Sequence, residues 1–353
     1  MKLGAAARVR IALARPLVRV GLGNRALRRW LARRRRDDVR GRGLDEHTAA
    51  VLGLDDVDGG SRIWRQTPAV ARARLLESLA IVDEAPHAAV AVRDLALPGP
   101  AGPIAARLYE APGLERPAPG LVYLHGGGHT LGDLDSHDAL CRRLAVEGRL
   151  RVVSVDMRLA PEHPFPAPLD DSLAAFRAVA ARTGELGIDP ARLGIGGDSA
   201  GGNLAAVVAL ETRRDPTPPA LQLLLYPVVD FTFSHPSHTA LANGYYLTRR
   251  AIDWYAGHYL GGRDELRTDP RVSPLVAPDL AGAAPAYVVV AGFDPLRDEA
   301  VAYADRLAAA GVRVELVVEA NLIHGFALMT AAVPAARAAT SRFIRRGAEL
   351  LRA

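Results

Sequence analysis

The sequence predicts an α/β fold whose central sheet is mostly parallel and covered by helices on both faces. Two observations carry that expectation. Short apolar runs recur at 121–124 (LVYL), 151–155, 192–196, 221–226, 286–291 and 313–318. Amphipathic stretches at about 136–148, 169–182, 200–213, 297–310 and 334–351 lie between or after them. Strands covered on both faces read as continuous apolar runs, and parallel neighbours need a helical crossover.

Composition narrows the class further. The chain has 353 residues, 49% hydrophobic and 24% charged, as in a soluble globular protein. No uninterrupted apolar run reaches the roughly eighteen residues of a membrane span. Cys141 is the one cysteine. It excludes an internal disulfide and a cysteine-based zinc site, fits a reducing cytoplasm, and reads as buried filler in an amphipathic helix.

The net charge of +5 conceals an asymmetry. Residues 1–43 contain Lys2 and thirteen arginines against Asp37 and Asp38, a net +12 that leaves −7 for the rest. A nucleic-acid-binding role for the whole protein is therefore disfavoured. Arg8 and Arg10 interrupt any signal-peptide core. Three readings of this arm stay open: a solvated, partly helical extension, a helix lying on anionic lipid, and a nucleic-acid contact. Pro16, Gly21 and Gly23 are expected to break any continuous helix there.

From residue 44 the pattern changes. Segments 44–54 and 68–83 read as helices, the second with a threonine start. Residues 89–96 and 104–109 alternate as strands around PGPAGP, a hairpin that would add antiparallel strands at one edge. Residues 230–278 separate two sheet strands and hold aromatic-rich FTFSHPSH and AIDWYAGHYL; an excursion of that length predicts a subdomain.

The chemistry-bearing residues fall at strand ends. Gly197-Asp198-Ser199-Ala200-Gly201 fits G-x-S-x-G between strand 192–196 and helix 200–213, the setting that exposes a nucleophilic serine. His125-Gly126-Gly127-Gly128 follows LVYL, and its glycines let amide donors approach a developing oxyanion. Downstream, Asp294 follows strand 286–291 and His324 follows strand 313–318, in the serine–acid–histidine order of such a triad. Asp298 is the rival acid, disfavoured because it lies a turn into the next helix. His235 with His238, and His129 with His137 and Asp133, lack metal-ligand spacing and read as solvated or structural. His125 precedes the nucleophile and reads as structural too.

HGGG, DMRLAPEHPFPAPLDD (156–171), GDSAGGN (197–203), DPLRDE (294–299) and HGF (324–326) together resemble the bacterial hormone-sensitive-lipase family of α/β-hydrolases over roughly 44–351. GDSAG is similar to the branch with Asp before the nucleophile. The resemblance implies an α/β-hydrolase fold and a carboxylesterase of short- to medium-chain acyl esters that uses no cofactor and no metal. It implies Ser199, Asp294 and His324 as catalytic residues, and the amides of Gly127, Gly128 and Ala200 as the oxyanion hole. It also implies a cap, built from 44–85 and the insertion at about 230–278, on a catalytic domain spanning 86–353; the basic extension 1–43 has no counterpart in the family. Glu162 and His163 would be architectural. His129 stands where the family usually has an aromatic, and Met157 where it commonly has Tyr.

A non-catalytic ligand-binding member of the fold, and a hydrolase of lactones or amides, are the alternatives. The expected partner is a small-molecule ester. The expected location is the cytoplasm, with peripheral membrane contact through 1–43 left open. Oligomeric state is open, a homodimer included.

Overall fold

In the sequence, the strands that run into one another's neighbourhood do so through helices, and the architecture follows from that. The computed structural model describes residues 5–35, 38–58 and 62–353. Its strands are β1 (Ala91–Leu97), β2 (Ile104–Glu110), β3 (Ala118–Leu124), β4 (Arg151–Val155), β5 (Ile188–Asp198), β6 (Gln222–Leu225), β7 (Ala286–Phe293) and β8 (Val314–Ile323). They form one eight-stranded sheet in the order β1-β2-β4-β3-β5-β6-β7-β8. β1, β2 and β4 pair antiparallel, and every pair from β4 to β8 is parallel. The hairpin therefore sits at one edge, as its alternation predicted.

The helices are α1 (Ala5–Gly23), α2 (Arg25–Leu31), α3 (Glu46–Asp58), α4 (Pro68–Val82), α5 (Asp138–Gly148), α6 (Ala167–Ala181), α7 (Thr183–Leu186), α8 (Ala200–Glu211), α9 (Ser237–Ala240), α10 (Arg249–Leu260), α11 (Arg297–Ala309) and α12 (Pro334–Arg352). Their termini follow local chemistry. Thr67 caps α4 by accepting from the Val70 amide, with Pro68 at its first position. Gly261 ends α10 in the left-handed conformation.

Two apolar layers sandwich the sheet. Along β3, Val122 and Leu124 join the layer of α6, α8 and α11, while Leu121 and Tyr123 join that of α5 and α12. This is the period-two alternation of a strand, with both faces covered. β8 continues five residues beyond the predicted end at 318. Glu319, Ala320 and Asn321 are more exposed than the residues that follow them, because β8 is an edge strand, so an apolar-run reading stops short there.

One expectation is overturned. α1 runs unbroken through Pro16 and Gly21, and the chain breaks only at Gly23–Asn24, where Asn24 caps α2. A mid-helix proline forfeits one hydrogen bond and costs about 3 kcal/mol. Tertiary contacts offset it here. α1 packs on α4, Arg10 pairs with Glu77 at 2.6 Å, and Arg15 donates to the Asp83 carbonyl. Gly21 lies against Leu27 of α2, where a larger residue would crowd the crossing. Leu22, Leu31 and Ala32 are buried in the layer that also holds α3 residues Ala49–Leu52.

Between β6 and β7 lie α9, α10 and two short 3-10 turns. This segment meets the N-terminal helices: Arg35 donates to the Gly244 carbonyl, and Arg42 to the Tyr245 hydroxyl.

Candidate active site

Parallel strands deliver their carboxyl ends to a single edge of the sheet. At that edge, β5 turns into α8 at Ser199, whose φ is 53° and ψ −118°. Such a backbone is strained for a non-glycine residue and persists only where the surroundings fix it. Here they do. The Ser199 amide donates to the Leu225 carbonyl, and its own carbonyl accepts from the Asn203 amide. At Gly201 a Cβ would collide with the Leu124 and His125 carbonyls, so only glycine lets α8 begin this close to the end of β3.

His324, just after β8, places Nε2 2.9 Å from Ser199 Oγ and Nδ1 2.7 Å from Asp294 Oδ2. Asp294 follows β7, is fully buried, and accepts the Leu296 amide on its other oxygen. Both acceptor positions of the carboxylate are thus engaged, which fixes the direction in which it faces the imidazole. The Tyr226 ring packs 4.7 Å from that of His324. Asp298 does something else: it accepts the Ser237 amide and so ties the start of α11 to α9.

The loop 125–132 leaves β3 next to this serine. Gly127 and Gly128 have φ of 116° and 62°. Among the described residues, none accepts a hydrogen bond from the amides of Gly127, Gly128 or Ala200. The loop is held by Asp198, the residue before Ser199, which accepts from the Gly126 amide at 3.0 Å and the Tyr123 hydroxyl at 2.8 Å. His137 Nε2 lies 3.2 Å from the same carboxylate. Burial alone would raise the Asp198 pKa, but His137 and these donors outweigh it and hold the carboxyl below its usual range.

Two more features of the loop were not legible in the sequence. The ring of Tyr255 from α10 lies directly over Gly128, where a Cβ would otherwise stand. Arg72 of α4 donates to the carbonyls of Thr130 and Ala160 and pairs with both oxygens of Glu162. One arginine among forty-four basic residues carries no signal of that kind; the partner's PEHPFP run does.

The other histidines weighed as site residues, His125, His129, His137, His235 and His238, have partners. His129 stacks on Tyr259 with ring centroids 3.6 Å apart and planes within 9°, and reaches Asn203 Oδ1 at 3.3 Å. Burial pushes its pKa down to about 3, so the ring is neutral and fills an aromatic's place. His125 is buried, with Nδ1 2.9 Å from the Gly126 carbonyl, and burial together with His137 pushes it down to about 4. His238 pairs with Glu299 and His235 with Asp230. Among the described residues no group of three His, Cys, Asp or Glu side chains could hold a metal ion. Cys141 is buried in α5, and burial raises its thiol pKa.

A family model described as the alpha/beta hydrolase fold matches residues 121–328. The carboxylic ester hydrolase LipN of Mycobacterium tuberculosis is 45% identical over 296 residues, 82% of this chain and 78% of that one. The chain belongs to the α/β-hydrolase family. Within that family, HGGG and GDSAG put it in the hormone-sensitive-lipase branch. The carboxylesterase NlhH of Mycobacterium tuberculosis is 43% identical over 77% of this chain and 86% of its own. Among solved structures, an α/β-hydrolase enzyme from the Lake Arreo metagenome superposes with a TM-score of 0.83 at 40% identity. That match covers 87% of this chain and 98% of the other.

Proposed function

We propose that this protein hydrolyses carboxylic esters of short- to medium-chain acids through an acyl-enzyme on Ser199. The observation that carries the reading is the hydrogen-bonded line Ser199–His324–Asp294 at the ends of three strands. Relatives named as ester hydrolases support the reaction class. His324 takes the proton of Ser199 Oγ as the oxygen attacks the ester carbonyl, while Asp294 fixes the imidazole and stabilises its charged form. The amides of Gly127, Gly128 and Ala200 receive the oxyanion. Collapse breaks the bond to the alkoxy oxygen, which leaves with the proton from His324. Water then attacks the acyl-enzyme by the same route, gives its proton to His324, and releases the acid and Ser199.

Residues 44–85 and the segment at about 230–278 act together as a cap over this edge. Tyr255 over Gly128 and the His129–Tyr259 stack crowd the oxyanion loop, which favours compact acyl groups. A relative named ethyl acetate hydrolase, from Pseudomonas putida, is 41% identical over 63% of this chain and points the same way. The test is a chain-length series of p-nitrophenyl esters on wild type and Ser199→Ala. Activity should peak at short to medium acyl chains and fall by about 10⁴-fold or more in the variant. Full activity in Ser199→Ala would overturn the assignment.

A further inference from the structure

Ten large apolar side chains are exposed among the described residues, and six of them lie between residues 9 and 30. The other four are single valines at 70, 92, 276 and 318. On α1 the exposed set is Val9, Leu13, Leu17 and Val20, up to 72% accessible. Spacings of four, four and three put them on one face of a helix. Ile11, Ala14, Val18 and Leu22 are the more buried positions of α1, and Val18 and Leu22 belong to the core layer. α1 is therefore apolar on two opposite sides, only one of which the protein itself covers. Leu27 and Trp30 extend the outer side onto α2.

The surroundings of this stripe are cationic. Residues 1–43 carry a net +12, against −7 for the rest of the chain. Arg25, Arg29, Arg33 and Arg34 are exposed around Trp30, and the Arg33 guanidinium stacks 3.9 Å over its ring.

We propose that the outer face of α1 and α2 docks the protein on an anionic lipid surface. Apolar side chains would enter the acyl boundary, Trp30 would sit at headgroup depth, and the arginines would meet phosphates. A polyanion without an apolar phase, such as nucleic acid, leaves Val9, Leu13, Leu17 and Val20 uncovered. Among the described residues a second copy offers only this same stripe as a large apolar patch, so pairing would press two +12 arms together. Lipid satisfies both features at once. α1 packs on α4, whose Arg72 holds the oxyanion loop. If the proposed ester hydrolysis holds, docking brings that site to the layer into which acyl esters partition, but binding itself does not depend on catalysis.

The test is co-sedimentation of the full chain with vesicles rich in phosphatidylglycerol and with vesicles of phosphatidylcholine alone. The expected result is binding to the anionic vesicles only, weakened by salt, with a blue shift of Trp fluorescence that Trp30→Phe removes. Leu13→Asp with Leu17→Asp should lower binding at least tenfold at an unchanged thermal midpoint. Arg29→Gln with Arg33→Gln and Arg34→Gln should lower it roughly a hundredfold at low salt. The proposal is overturned by absence of vesicle binding, or by binding indifferent to the leucine pair. It is also overturned if the stripe instead holds a dimer that the leucine pair dissociates, or if it binds DNA in preference to lipid.

Discussion

Asp294 and Asp298 stand four residues apart in DPLRDE, yet only one faces His324. Asp294 gives Oδ2 to the imidazole and Oδ1 to a backbone amide, whereas Asp298 ties the start of α11 to α9. Asp294→Asn is therefore expected to lower kcat by about 10⁴-fold, and Asp298→Asn by less than tenfold, as measured with one p-nitrophenyl ester. A second expectation concerns the loop 125–132, the proposed oxyanion hole. Gly128→Ala would set a methyl group against the Tyr255 ring at a φ of 62°, displacing the amide. Its kcat should fall about 10²–10³-fold with little change in KM. The proposed triad was legible as a set of motifs because each of them sits where a strand ends. The side chains that hold the loop were less so: Asp198 is visible inside GDSAG, but its contacts with Tyr123, Gly126 and His137 join parts of the chain more than sixty residues distant.

Helices and strands were legible wherever packing repeats a simple period. α5, α6, α8, α11 and α12 lie within about two residues of their predicted limits, and the edge hairpin stands where alternation put it. The arm shows where local rules lose. Pro16 and Gly21 disfavour a helix, but contacts of α1 with α4 and of α2 with α3 decide otherwise. Arg72 is the corresponding link between α4 and the sheet edge, made through two carbonyls and Glu162. Truncating it to methionine leaves those acceptors without their charged donor. Arg72→Met should cost about 2 kcal/mol, read as a lower urea midpoint, and should lower activity by loosening the loop.

At the scale of the whole molecule, buried titratable groups shape the response to acid. His129 stays neutral in the fold down to about pH 3 because of burial, while an unfolded histidine titrates near 6.5. Between those values the unfolded chain takes up a proton that the fold refuses, so this residue's contribution to stability falls as pH falls. The loss is about 1.4 kcal/mol per pH unit across that window. Glu299, pushed up to about 7 by burial, acts in the opposite sense between about 4.3 and 7. His129→Phe removes one term alone, so its stability relative to wild type should rise steadily from pH 6.5 to 4 in urea titrations. All three scales meet at the proposed nucleophile, Ser199, held at a strained turn between β5 and α8. A fluorophosphonate probe followed by peptide mass mapping tests it most directly. A single covalent adduct on Ser199 is expected, lost in Ser199→Ala and slowed in Asp294→Asn. An adduct on another residue, or labelling that persists in Ser199→Ala, would contradict it.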